Sequence, residues 1–116
     1  VQPLGGVRVC LALAEQVGLP VVVSSALETS IGLAAGIALA AALPELPYAC
    51  GLATAQLLTA DVVARPLLPV DGKIRVERPG VDAALLDAAG ADAPTRDRWR
   101  ARLDAVRSVV AAADRA

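Results

Sequence analysis

The sequence predicts an α/β fold built from consecutive parallel βα units. Two short apolar runs without alternation, residues 21–23 and 48–50, are typical of strands buried on both faces of a parallel sheet. The strand–helix–strand–helix order around them is that of parallel α/β proteins. A composition with 56% hydrophobic but only 2% aromatic residues favours an aliphatic core, in which helices cover strands rich in Val and Leu.

The first predicted helix covers residues 7–17, because its apolar residues recur at helical spacing. These residues are Val7, Cys10, Leu11, Ala14 and Val17. Gly18 is expected to end the helix, and Pro20 to keep the preceding residue in extended backbone. Residues 1–6 before it are expected to be a strand end that runs into a turn.

The second predicted helix covers residues 31–43 and stops before Pro44. Thr29 or Ser30 can cap it. Its thirteen residues are almost purely apolar, but a membrane span needs about 20, so we expect a buried helix and no membrane association. Small residues, among them Gly32 and Gly36, would let this helix lie close to a sheet.

The remainder of the chain is expected to alternate short elements with turns. A strand at 48–50 closes at Gly51, a short helix covers 55–63, and prolines impose an extended stretch before an Asp71-Gly72 turn. A half-exposed strand follows at 73–76, then a weak helix at 81–89. The last helix begins at Thr95 and carries apolar residues at i, i+4, i+7 and i+11: Trp99, Leu103, Val106 and Val110.

The composition excludes several kinds of site. Without histidine there is no Ser-His-Asp or Cys-His nucleophile pair and no imidazole metal ligand. A pI near 5.3 and the few aromatic residues argue against nucleic-acid binding. The arginines of residues 96–102 alternate with aspartates, so we expect them to scatter around a solvated helix.

Cysteine use and the chain's first residue bear on its origin. Cys10 and Cys50 lie forty residues apart and fit no zinc spacing. We expect two separate reduced thiols in a cytoplasmic protein, with a disulfide as the alternative. No secretory signal is visible. Because the chain starts at Val1 and contains no methionine, we expect a processed chain or a piece of a longer protein.

Small polar residues follow both predicted strands at the edge where parallel α/β proteins bind ligands. Ser24 and Ser25 end the first strand and precede a helix N-terminus, which favours a carboxylate or a phosphate. Gly51 to Thr54 follow the second strand on the same edge. Plain helix capping is the alternative. Neither segment contains a general base, so this edge is predicted to bind rather than to catalyse.

Four segments together resemble a known family: residues 1–6, 20–32, 41–46 and 50–54. They are similar to the carboxyl-terminal part of the o-succinylbenzoate synthase family, of the actinobacterial type, in the enolase superfamily. The likeness runs from Val1 to about Asp82 and more loosely into the Trp99 helix.

The resemblance implies the carboxyl-terminal part of a (β/α)7β TIM-like barrel. Strands 7 and 8 would end at Ser24 and Gly51, so residues 1–66 would form the last βα units. Residues 67–82 would be an extended tail that returns toward a capping domain, and residues 83–116 a C-terminal helical extension.

The resemblance also implies a Mg²⁺-dependent lyase that removes water to form o-succinylbenzoate, a menaquinone precursor. The family's acid–base lysines and metal ligands lie on earlier strands, upstream of Val1, so no catalytic or metal residue falls in this chain. Ser24, Ser25 and Gly51 would contact the substrate, a small-molecule carboxylate. The implied partners are the remainder of the barrel and the capping domain, and the isolated chain is expected to be inactive.

Two alternatives remain open at the level of sequence. One is an N-acylamino-acid racemase or epimerase of the same superfamily. The other is a free-standing, non-catalytic α/β interaction module.

Overall fold

A computed structural model describes residue 1 and residues 4–113 of the chain. It contains four α-helices and, at Thr54–Leu57, a 3-10 helix. The α-helices are α1 (Val7–Val17), α2 (Ser30–Ala42), α3 (Ala83–Ala88) and α4 (Ala93–Ala113). Residues 2 and 3, in the segment predicted to be a strand end and turn, lie outside the described residues. The molecule is flat, with extents of 43 × 42 × 20 Å.

The predicted strands are reduced to single bridges in the described part of the chain. Ser24 pairs with Gly51 in parallel, and Val70 pairs with Lys73 in antiparallel orientation. The parallel approach of the two apolar runs is therefore confirmed, but the ladders expected at 21–23, 48–50 and 73–76 do not form. The two runs are not buried on both faces as expected, since Val22 and Tyr48 are exposed. Two strands without further neighbours are marginal, and nothing described here lies beside them to extend the pairing.

Helix α1 has the bounds that the sequence predicts. Gly18 ends it in the left-handed conformation, with φ 67°, and its N–H donates to the carbonyl oxygen of Ala14 at 3.1 Å. Cys10 is buried on the inner side of α1, whereas Val17 is exposed. Cys10 and Cys50 are both free thiols, as expected.

Helix α2 forms the centre of the core. Its buried residues pack with Val23 and Leu52 from the two paired segments, and α1 packs against its side. A Cβ added at Gly36 would lie 3.0 Å from Leu52 Cδ2, so a glycine here allows the close approach that the small residues predict. Among the described residues, no helix is long and apolar enough to cross a membrane.

The amino end of α2 is capped from a distance rather than by its own residues. Thr29 is the N-cap residue, but its side chain makes no capping hydrogen bond. Ser30 is 0% exposed; its N–H donates to Asp61 Oδ2 at 3.0 Å, and its hydroxyl donates to the same oxygen at 2.6 Å. Thr29 therefore holds the N-cap position that the sequence predicts, but the carboxylate of Asp61, rather than a side chain of the cap, accepts from the first N–H of α2.

The segment that carries Asp61 is irregular. The helix expected at 55–63 is only the 3-10 helix Thr54–Leu57, after which the chain loops back to α2. Within this loop, Val62 N–H donates to Asp61 Oδ1 at 2.7 Å, and Leu67 N–H donates to Ser30 Oγ at 2.8 Å. The helix thus ends before Asp61, and Asp61 reaches Ser30 from irregular backbone.

The segment between this loop and α3 contains the predicted turn. Asp71 and Gly72 both have positive φ, 48° and 73°, and the flanking residues exchange two backbone hydrogen bonds of 2.8 and 2.9 Å. Farther along, Glu77 lies between Arg65 and Arg75. The hydrogen bond from Arg75 is the main cause that lowers the pKa of the partly exposed Glu77 carboxyl.

Aspartates cap the last two helices. Asp82 Oδ1 accepts from the N–H groups of Ala84 and Leu85 at the start of α3. Asp92 Oδ1 accepts from Thr95 N–H at 2.9 Å, and α4 begins two residues earlier than predicted. Hydrogen bonds from Thr95 lower the pKa of Asp92. Within Ala93–Ala113, helix α4 has no buried residue.

The Asp61 contacts predict a specific loss of stability. Asp61→Ala leaves the buried Ser30 hydroxyl and N–H without their acceptor, and hydrogen bonds to a charged group contribute about 1.5–3 kcal/mol. We expect the free energy of unfolding to fall by about 2–3 kcal/mol. Urea denaturation followed by far-UV circular dichroism measures it.

Asp104→Ala is the matched control, because this exposed aspartate makes only an i,i+3 ion pair at 3.6 Å. Its loss should change stability by less than about 0.5 kcal/mol. An Asp61→Ala variant as stable as the Asp104→Ala variant would contradict the capping role.

Candidate functional site

The candidate site is the junction at which the two paired segments end. Ser25 N–H donates to the Gly51 carbonyl oxygen at 3.0 Å, and Gly51 N–H donates to the Val23 carbonyl oxygen at 2.9 Å. These two bonds place Ser24, Ser25 and Gly51 side by side, with Thr54 one turn farther along the second segment. The structure therefore brings together the residues that the sequence singles out.

Both hydrogen-bond donors of Ser25, its N–H and its hydroxyl, bind a backbone oxygen of the same chain. Its hydroxyl donates to the Gly51 carbonyl oxygen at 2.9 Å, so the same oxygen accepts both Ser25 donors. Ser25 Oγ also lies 2.8 Å from Thr54 Oγ1. Since a hydroxyl carries one proton, Thr54 is the donor in this second bond. Ser25 thus fixes Gly51 and Thr54 in place.

Ser24 presents its hydroxyl to solvent from the same junction. The residue is exposed, and in the described part of the chain its Oγ has no hydrogen-bond partner. A Cβ added at Gly51 would lie 2.8 Å from Ser24 Oγ. A glycine at position 51 therefore leaves room for the Ser24 hydroxyl itself.

The amino end of α2 is less open to an anion than the sequence predicts. Its first N–H group, on Ser30, is occupied by the Asp61 carboxylate. An aspartate within an apolar stretch, Ala60-Asp61-Val62, was the available signal, because buried carboxylates need partners. The sequence does not say where that partner lies, so Asp61 was missed.

Two concavities flank the paired segments. The larger, of about 610 Å³, lies at the amino ends of the segments and is lined mainly by apolar groups from Leu11 to Pro47. None of the hydroxyl groups of the junction, on Ser24, Ser25 and Thr54, lines this concavity. The other, of about 480 Å³, runs along the open side of the first segment from Val1 to Ser24, where Val22 is exposed.

The described residues do not form a metal centre. Residues 1 and 4–113 contain no group of three or more His, Cys, Asp or Glu side chains that could hold a metal ion. The chemistry that the junction itself supports is hydrogen bonding by hydroxyl groups to an oxyanion or another acceptor.

Comparison with known proteins gives consistent relatives. A relative named o-succinylbenzoate synthase from Thermobifida fusca is 63% identical over 108 residues, which cover 93% of this chain and 33% of that protein. Proteins of the same name from Mycobacterium leprae and Mycobacterium tuberculosis (strain ATCC 25177 / H37Ra) are 54% and 48% identical. Their matches cover 85% and 95% of this chain, and 29% and 33% of those proteins.

These matches confirm the resemblance to o-succinylbenzoate synthase that the sequence motifs indicate. The chain spans about a third of the length of the curated relatives it matches. A family model, described as "Enolase C-terminal domain-like", matches residues 3–89, a range that contains α1, α2 and the junction of Ser24 with Gly51. The chain therefore belongs to the enolase C-terminal domain-like family and is part of an α/β barrel.

Proposed function

We propose that this chain is part of an o-succinylbenzoate synthase, a carbon–oxygen lyase, and forms one side of its substrate pocket. The observation that carries the proposal is the junction, where Ser24, Ser25 and Gly51 meet at the carboxyl ends of two parallel segments. The relatives with that name, which match 85–95% of the chain, support the choice of reaction.

In the proposed reaction, water is eliminated from a small-molecule carboxylate to give o-succinylbenzoate for menaquinone biosynthesis. Mg²⁺ would serve as the cofactor of the complete enzyme, but the described residues offer no site for it. We therefore assign the metal ligands and the acid–base lysines to the two-thirds of the relatives' length that this chain does not span. The contribution of this chain is to bind and orient the substrate.

Ser24 has the direct role in this proposal. Its exposed hydroxyl donates a hydrogen bond to a carboxylate of the substrate, and a bond to a charged group contributes about 1.5–3 kcal/mol. Gly51 leaves the space in which this hydroxyl stands. Ser25 lines the same edge and keeps Gly51 in position through two hydrogen bonds to its carbonyl oxygen.

The rest of the chain would connect this edge to the complete enzyme. We propose residues 1–66 as the last βα units, residues 67–82 as a tail toward the capping domain and residues 83–116 as a helical extension. The open side from Val1 to Ser24 would receive the remainder of the barrel, since exposed apolar groups line it. The free thiols of Cys10 and Cys50 suit a cytoplasmic enzyme.

The first prediction is that the chain by itself has no dehydratase activity, with or without Mg²⁺. It contains no histidine. Its one lysine, Lys73, directly follows the Asp71-Gly72 turn and is exposed. Formation of o-succinylbenzoate, followed by ultraviolet absorbance, should stay at the level of the buffer. Turnover by the pure chain would show that the acid–base groups lie within it.

The second prediction is that Gly51 and Ser24 act as a coupled pair in the complete enzyme. Ser24→Ala should lower kcat/KM about ten- to a hundredfold, because one hydrogen bond to a charged group is lost. Gly51→Ala should lower it to a similar extent, because the new Cβ displaces the Ser24 hydroxyl. The double variant should be no worse than either single variant, since the displaced atom is then absent.

A Ser108→Ala variant is the control, because this hydroxyl lies on α4 and bonds only to the Asp104 carbonyl oxygen. Its steady-state kinetics should be unchanged. Thermal melts of all variants separate binding from folding: simple helix capping predicts lower stability, by about 1 kcal/mol, with normal kinetics. Additive losses in the double variant would contradict the coupling. A normal kcat/KM in both single variants would contradict the proposal that Ser24 and Gly51 line the substrate pocket.

A further inference from the structure

The junction contains three hydrogen-bonded groups, and their atom types determine the direction of each bond. Ser25 Oγ lies 2.9 Å from the Gly51 carbonyl oxygen and 2.8 Å from Thr54 Oγ1. A carbonyl oxygen carries no proton, so Ser25 donates to Gly51, and Thr54 must donate to Ser25. We call these three groups, in the order Thr54, Ser25 and Gly51, the hydroxyl relay. The Thr54 hydroxyl thus determines where the Ser25 proton points.

The Thr54 side chain starts from backbone that the core holds in place. Leu52 and Ala55, on either side of it, are both 6% exposed. Thr54 is also the first residue of the 3-10 helix, which fixes its backbone further. A β-branched side chain has few χ1 rotamers, so ordering its hydroxyl toward Ser25 costs little entropy. The relay therefore begins at a point that is itself well positioned.

The other end of the relay lies beside the Ser24 hydroxyl. The Gly51 carbonyl oxygen accepts from both Ser25 donors, the N–H at 3.0 Å and the hydroxyl at 2.9 Å. These two bonds orient the peptide group of Gly51. A Cβ built on Gly51 would lie 2.8 Å from Ser24 Oγ, so the backbone at position 51 borders the space in which that hydroxyl stands. A shift of this backbone therefore displaces the Ser24 hydroxyl.

The relay also decides which hydroxyl of the junction can donate to a ligand. A hydroxyl has one proton to donate. The Ser25 proton is used by Gly51, and the Thr54 proton is used by Ser25. Among the described residues of the junction, Ser24 is thus the one whose hydroxyl proton remains for a substrate carboxylate.

We propose that Thr54 is a positioning residue for substrate binding. Through Ser25, its hydroxyl holds Gly51 where the Ser24 hydroxyl can donate to the substrate carboxylate, and Thr54 does not itself contact the substrate. The inference rests on the proposed function, which gives Ser24 that contact. Because the carboxylate is already charged before the reaction, the bond from Ser24 stabilises the ground state and the transition state alike, and its loss appears in KM.

The test compares two substitutions of Thr54 in the complete enzyme. Thr54→Val keeps the shape of the side chain and removes the donor. Its KM should rise about three- to tenfold, as for one lost neutral hydrogen bond, while kcat changes less than about twofold. The dissociation constant of o-succinylbenzoate, measured by isothermal titration calorimetry, should rise by a similar factor. Thr54→Ser keeps the donor and should stay within about twofold of the unsubstituted enzyme in both measurements.

A double-mutant cycle separates positioning from packing. In a Ser24→Ala background, Thr54→Val should not raise KM further, because the group that Thr54 positions is then absent. Thr95→Val is the matched control: this threonine on α4 is also partly buried, and its hydroxyl accepts from Arg98 at 3.4 Å. Its KM should be unchanged. If the thermal melt shows that Thr54→Val does not fold, Ser25→Ala interrupts the relay at its middle and should raise KM at least as much.

Three results would overturn the inference while the proposed function stands, provided that Ser24→Ala itself lowers kcat/KM. A normal KM for Thr54→Val, with or without a lower melting temperature, limits Thr54 to a role in folding. Equal impairment of Thr54→Ser and Thr54→Val shows that the hydroxyl is not the group that acts. A full further loss in the Ser24→Ala background shows that Thr54 acts independently of Ser24.

A different set of results would contradict the proposed function itself. These are a normal kcat/KM for Ser24→Ala, or a complete enzyme that neither forms nor binds o-succinylbenzoate. Since the positioning role of Thr54 is defined by the contact of Ser24 with the substrate, either result would overturn the inference as well.

Discussion

The carboxylate of Asp61 at the amino end of α2 is the contact on which the arrangement of this chain depends. It satisfies two donors of the buried Ser30, which would otherwise be unpaired in the core. Ser30 in turn accepts from Leu67, a residue that is almost fully buried. Val62, next to Asp61, accepts through its carbonyl oxygen from Asp82 N–H, so the approach to α3 is attached to the same point.

The junction of Ser24 and Gly51 lies shortly before the start of the same helix along the chain. Only five residues separate Ser24 from Ser30, so a displaced α2 would carry the first segment with it. Gly36 and Leu52 bring the second segment close to α2, since a Cβ at position 36 would lie 3.0 Å from Leu52 Cδ2. The hydroxyls at the junction are thus positioned by packing on one side and by buried polar contacts on the other.

Local signals in the sequence predicted what depends on local physics. The bounds of α1, the left-handed Gly18 and the Asp71-Gly72 turn follow from residues near in the chain. The meeting of Ser24 with Gly51 followed from the general rule that parallel strands end at one edge. The capping role of Asp61 could not be predicted from a local rule, because its partner Ser30 lies 31 residues away and no periodicity connects the two. The solvated character of α4 was also predictable, because its arginines alternate with aspartates, and these arginines are exposed in the structure.

The long reach of these contacts has a consequence for how the chain folds. Ser25 and Gly51 are 26 residues apart, and Ser30 is 31 and 37 residues from Asp61 and Leu67. Each contact closes a loop, and the entropy lost in closure grows with loop length. Once Ser24 and Gly51 have paired, the path from Ser30 to Asp61 shortens to about half its length. The two closures are therefore cooperative, because whichever contact forms first shortens the loop that the other must close.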